Sequence, residues 1–121
     1  MKGIGMIKEE KFSRDEIQLA AVAKALAHPA RIQIIKFLAE SGECMCGRIV
    51  DVLPLSQATV SQHLRTLKNA GLIKGNIHGQ RVCYCIDEEA FKLFENEINA
   101  FLKNIALNNT CKNGGIKCQT S

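Results

Sequence analysis

Leu55–Gly71, LSQATVSQHLRTLKNAG, is the stretch on which the reading of the chain turns. Ser56 is a good N-cap, because its hydroxyl can accept a hydrogen bond from a free backbone N–H one turn into a helix. Leu55 before the cap and Val60 beyond it can close as a hydrophobic staple. Val60, Leu64 and Leu67 then share one face at helical spacing, and Gly71 is a natural stop. The other face carries Gln57, Thr59, Ser61, Gln62, Arg65, Thr66 and Asn69, with no acidic residue. A helix that merely faces water mixes Glu with Lys for i,i+4 pairing. Amides, hydroxyls and a guanidinium are instead the groups that pair with base edges and phosphates. The stretch predicts a helix lying in a DNA groove, with Ser56, Gln57, Thr59, Ser61, Gln62, Arg65 and Lys68 as its contacts.

The chain of 121 residues has room for one small domain with a modest core. A net charge of +4 fits an acidic partner without demanding one. No apolar run reaches the roughly 18 residues of a membrane span, and the N-terminus, MKGIGMIKEEKF, lacks the apolar region of a secretory signal. The expected location is therefore the cytoplasm, with no membrane partner. Six cysteines are many for such a chain. In a reducing compartment they read as metal ligands or redox groups rather than structural bridges.

Outward from the groove helix, the chain divides into a loose segment 1–13, a domain 14–107 and a flexible cysteine-containing tail 108–121. Asp15 to Ala27 is apolar or small nearly all round, as in a helix buried between subunits. His28-Pro29 ends it, and Pro29 suits the first position of a second helix that turns Ile32, Ile35 and Leu38 inward. A short third helix from Cys46 to Leu53 stops at Pro54. After the groove helix come two short strands, Leu72–Asn76 and Arg81–Asp87, with His78-Gly79 between them. Asp87 caps a last helix whose stripe of Phe91, Phe94, Ile98, Phe101, Leu102 and Ile105 exceeds what so small a core needs, so a subunit interface is expected there. The order predicts a mainly α, dimeric winged helix-turn-helix with a small β-ribbon. Its ribbon, with Arg81, reaches phosphate or the minor groove.

The stretches LAHPARIQIIKFL, ECMCGRI, LSQATVSQHLRTLKNAGLI and GQRVCYCID resemble the small dimeric ArsR/SmtB-type metal-responsive repressors over roughly residues 17–102. The resemblance implies a homodimer on palindromic double-stranded operator DNA, with the first and last helices at the interface. It also implies release of the DNA when an inducer binds.

Cys44-Met45-Cys46 lies where the arsenical- and cadmium-sensing members carry a Cys-x-Cys pair. Paired thiolates select thiophilic ions: As(III) or Sb(III) first, with Cd(II), Pb(II) or Zn(II) as further candidates. In a regular helix the two side chains would point roughly 200° apart, so one ion could take both only if the start of the third helix unwound. Gly47 makes that distortion cheaper. The further cysteine found one turn on in the arsenical pattern is here Ile49. A third thiolate then comes from Cys111 or Cys118 of the tail, or from Cys83 and Cys85, which share one face of the second strand. A second reading in the same fold is a thiol-redox or persulfide sensor. His28, His63 and His78 are scattered and read as caps, structural residues or phosphate neighbours. The chain shows no Gly-rich nucleotide loop, Cys-x5-Arg phosphate loop or Cys-x-x-Cys motif, so it does not read as an enzyme.

Overall fold

The computed structural model describes residues 11–47, 49–79 and 81–108. In chain order these form α1 (Arg14–Ala25), α2 (Pro29–Ser41), β1 (Met45–Cys46), α3 (Ile49–Val52), α4 (Gln57–Asn69), β2 (Ile73–His78), β3 (Arg81–Ile86) and α5 (Glu88–Asn108). Four helix starts have side-chain caps that satisfy free backbone N–H groups. Ser13 and Glu16 form a reciprocal capping box at α1, both bonds 3.0 Å. His28 Nδ1 accepts from the Ala30 N–H at 3.0 Å, with Pro29 at the first position of α2. Ser56 Oγ accepts from Thr59 N–H at 3.3 Å, and Asp87 Oδ1 from Ala90 N–H at 3.1 Å. Gly42, at φ 72°, closes α2 in the left-handed conformation that glycine takes without strain.

The core gathers Ile34 and Leu38 of α2, Ile49 and Leu53, Val60, Leu64 and Leu67 of α4, and Leu72 and Ile73 where β2 begins. Val60, Leu67 and Leu72 are fully buried. The inward face of α2 is the expected one at Leu38, with Ile35 packed against the core, but not at Ile32. Ala30, Ile34 and Leu38 form its buried line, whereas Ile32 is 42% exposed and Ile35 is only half-buried. The i,i+4 row through Ile34 faces α4, and that packing decides which of several apolar residues turns in.

Among the described residues, two apolar faces remain uncovered. Of α1 only Val22 and Ala25 are buried, and no residue of α5 is. Phe91 and Phe94 reach the core, but Phe101, Leu102 and Ile105 stand 49%, 53% and 50% exposed. The helices α1 and α5 pack on each other, so the two faces are neighbours.

The β-structure is larger than the expected ribbon. Three antiparallel strands pair in the order β1-β3-β2, with Ile73 opposite Ile86 and His78 opposite Arg81 in the hairpin. The added strand is the Cys-x-Cys segment. A helix was expected to begin at Cys46, but Met45 and Cys46 are extended and pair with Tyr84 and Cys83. Gly47, at φ 81°, turns the chain, and the helix runs only from Ile49. Cysteine is a poor helix former, and the open edge of β3 offers the segment backbone partners that an isolated first turn would lack.

Candidate nucleic-acid interface and thiol cluster

On α4, burial and exposure divide as the periodicity requires. Val60, His63, Leu64 and Leu67 face the core. Ser56, Gln57, Thr59, Ser61, Gln62, Arg65 and Lys68 are exposed. Thr59 Oγ1 is held by the Ser56 hydroxyl at 3.0 Å, and Thr66 Oγ1 donates back to the Gln62 carbonyl at 3.2 Å. Those hydroxyls are therefore partly spent inside the helix, which leaves Gln57, Ser61, Gln62, Arg65 and Lys68 as the freest groups on the face. The helix carries Arg65 and Lys68 and no carboxylate. A positive, acid-free face of this kind attracts phosphate and offers donors to base edges.

Arg31, which the sequence reading passed over, fixes how α4 sits. Its Nε donates to His63 Nδ1 at 3.2 Å, and its Nη1 donates to the carbonyls of Lys24 and Ala25 at 3.3 and 3.0 Å. One guanidinium so joins the C-terminal end of α1, the start of α2 and the inner side of α4. It also places positive charge where the α1 dipole is negative. The His28 ring lies 4.4 Å from that of His63, centroid to centroid. Burial, then the neighbouring His28 and Arg31, hold the His63 pKa below its usual 6.5. The neutral ring keeps Nδ1 free to accept from Arg31. Nothing in local spacing links residues 31 and 63, so only the fold could show the contact.

The wing root packs against the end of α4. A Cβ on Gly75 would stand 3.3 Å from the Tyr84 ring and 3.5 Å from the Lys68 stem, so these three residues set the approach of β2 to the helix. Arg81 is exposed at the far end of the hairpin. Ile77 and Val82 beside it are 76% and 42% exposed.

Cys44 and Cys46 meet the two wing cysteines. Cys44 is disulfide-bonded to Cys85 and Cys46 to Cys83, with Cα separations of 4.3 and 4.0 Å. Each pair lies directly across two antiparallel strands, where side chains are closest. Cys83 is buried at 1% exposure and Cys44 is exposed, so one pair is inner and the other outer. The outer pair opens on a pocket also lined by Glu43 and Glu88. Among the described residues no group of three or more His, Cys, Asp or Glu forms a ready metal cage; the four cysteines have their sulfurs in disulfides. The arrangement corrects the expected mechanism. No helix has to unwind for Cys44 and Cys46 to share a partner, because the segment is already extended and its side chains already point the same way. The tail cysteines Cys111 and Cys118 lie outside the described residues.

A polar helix turned outward beside a three-stranded wing defines a winged helix-turn-helix DNA-binding protein. Comparison with known proteins narrows this. The family described as bacterial regulatory protein, arsR family, matches residues 28–74. The HTH-type transcriptional regulator YgaV of Escherichia coli is 38% identical over 88 residues, covering 73% of this chain and 85% of the relative. A cadmium resistance transcriptional regulatory protein CadC homolog of Staphylococcus aureus is 34% identical over 90 residues, covering 74% of each. Among solved structures, a homodimeric winged helix-turn-helix DNA-binding domain from Mycobacterium bovis superposes with a TM-score of 0.58 at 28% identity, covering 79% of this chain and 91% of that one. The chain belongs to the arsR family of transcriptional regulators. It is thus a DNA-binding protein of the ArsR/SmtB type and not an enzyme. None of its described helices is long and apolar enough to cross a membrane.

Proposed function

We propose that the chain is a cytoplasmic, homodimeric repressor that holds a palindromic operator and releases it when Cys44 and Cys46 take a thiophilic ion. As(III) and Sb(III) are the first candidates, and Cd(II) is the next. The observation that carries this is the convergence of Cys44 and Cys46 with Cys83 and Cys85 at the root of the wing. Soft ions seek clustered thiolates. This cluster ties the strand before α3 to the hairpin after α4, so a change in sulfur spacing there shifts the wing relative to the reading helix. A coupling of about 1–3 kcal/mol between two such sites is enough to empty an operator. The apolar faces of α1 and α5 supply the surface for the second copy, since half-exposed Phe101, Leu102 and Ile105 gain by leaving water. Ser56, Gln57, Thr59, Ser61, Gln62, Arg65 and Lys68 serve as the groove contacts, with Arg81 on phosphate.

The disulfides favour a second reading, release or capture of DNA by thiol oxidation or persulfidation. One experiment separates the two. The fully reduced protein is bound to a labelled operator fragment and titrated without oxygen with arsenite, antimonite or cadmium, and separately with peroxide or polysulfide. Ion-driven release that is lost in Cys44→Ser and Cys46→Ser supports the ion reading. Operator occupancy indifferent to all three ions but sensitive to the oxidants replaces it with the redox reading.

A further inference from the structure

The wing cysteines raise the question of what class of ion the cluster fits, a question that rests on the repressor reading just given. We propose that in the reduced protein Cys44, Cys46, Cys83 and Cys85 form one four-thiolate site, within a single chain, for a soft divalent cation such as cadmium. The wing hairpin then supplies half of the ligands.

The register sets the geometry. Cys46 stands opposite Cys83, and Cys44 is bonded to Cys85, so all four side chains project from one face of the β1–β3 pair. Their Cα atoms mark a rectangle 4.0–4.3 Å wide and about 6.6 Å long, two strand residues at the usual rise. Sulfurs above such a rectangle can rotate inward to surround one tetrahedral ion with bonds of about 2.3 Å. A trivalent arsenic centre uses three thiolates and would leave the fourth unpaired, so the four-cysteine cluster reverses the order of candidates given above and puts the divalent ion first. A divalent ion of the tetrahedral class uses all four.

The surroundings fit the charge. Four thiolates around a divalent ion carry a net charge of −2. Lys74 and Asn76 of β2 stand opposite Cys85 and Cys83 on the other side of β3, and therefore on the same face as the sulfurs. The Asn76 amide already donates to Cys85 Sγ at 3.7 Å. Donors of this kind next to a ligand atom steady the thiolate and its orientation. Glu43 and Glu88 line the pocket beside the outer pair and draw a cation toward it.

Loading is balanced by a dithiol reductant. Each disulfide takes two electrons and two protons from one dithiol, which leaves as its own disulfide. The four thiols then release four protons as the ion binds. The disulfide form and the ion-bound form exclude each other, so the redox state of the wing root decides whether the site exists.

The test uses the full reduced chain, freed of reductant under nitrogen and titrated with cadmium chloride while the thiolate-to-metal charge-transfer absorbance is followed. The expected endpoint is one ion per chain. Cys83→Ser with Cys85→Ser should lower the band to about half, since two of four thiolates remain. Because Cys83 is buried, the wild-type chain is also alkylated with and without cadmium and the modified peptides are weighed. Protection of Cys44, Cys46, Cys83 and Cys85 together supports the site. An unchanged band in the double variant, or protection of Cys44 and Cys46 with Cys111 or Cys118 in place of the wing pair, overturns it. Four-cysteine protection without any change in operator affinity keeps this site and defeats the repressor reading. Cadmium release of the operator from both wild type and the wing variant does the reverse.

Discussion

Helix α4 and the thiol cluster obey different rules. Everything that makes α4 a helix lies within its own seventeen-residue neighbourhood, Leu55–Gly71: the Ser56 cap, the Val60, Leu64 and Leu67 row, and Gly71 with φ 82° beyond its end. The cluster has no such local signature. Its halves are separated by 41 and 37 residues, and each half alone is only a pair of cysteines two positions apart. The surface proposed to bind DNA is built on one element, whereas the proposed sensing cluster joins two elements that would have to respond together.

If α4 is held by its core and the cluster by its sulfurs, the largest expected effect belongs to the core. Leu67→Ala removes a fully buried side chain beneath α4 and should cost about 2–5 kcal/mol of stability in urea unfolding. Cys46→Ser in the reduced protein keeps nearly the same volume at a half-buried position and should cost far less. An equal loss from both would mean that the cluster, too, is chiefly packing.

The next contrast concerns operator binding. Gln62→Ala and Arg65→Ala should each weaken the operator complex by about 1–3 kcal/mol, the worth of a lost base contact, while the fold-change on adding a thiophilic ion stays as in wild type. Cys44→Ser should show the opposite profile, with unchanged affinity and no response. If Gln62→Ala and Arg65→Ala both bind with wild-type affinity, α4 is not the reading element. Smaller again is Ser56→Ala. It removes the acceptor for the Thr59 N–H and should cost about 1 kcal/mol of stability.

How much could be read beforehand follows the same division. The order of helices, the caps at Ser56 and Asp87, and the hairpin were legible because each depends on nearest neighbours. The third strand was not. Cys44-Met45-Cys46 is too short to show alternation, and only the free edge of β3 makes it extended. On α2 Leu38 was legible as an inward residue but Ile32 was not read correctly, for a related reason: Ile32, Ile34 and Ile35 are all apolar, and α4 selects Ile34. The wing cysteines were in view as one alternative for the missing thiolate, but no spacing rule could place them opposite Cys44 and Cys46. Arg31 gave no signal, because its partners lie on α1 and α4.

The smallest effect expected probes that last contact. His63 is 8% exposed, and its pKa is lowered by burial first, then by His28 and Arg31. A folded value below the unfolded 6.5 means that the unfolded chain binds the proton more readily between the two. The contribution of neutral His63 is therefore fully present above about pH 6.5 and is lost as the pH falls toward the folded value. Protonation would remove the acceptor for the Arg31 Nε–H and set two cations face to face. Urea unfolding at pH 7.5 and at 5.5 should show wild type losing more stability on acidification than His63→Gln, which cannot titrate there. The difference isolates His63 from the carboxylates, since both proteins carry the same acidic residues. Equal pH slopes in the two proteins would mean that Arg31 holds α4 without regard to the charge on the ring. The pH dependence would then belong to another group.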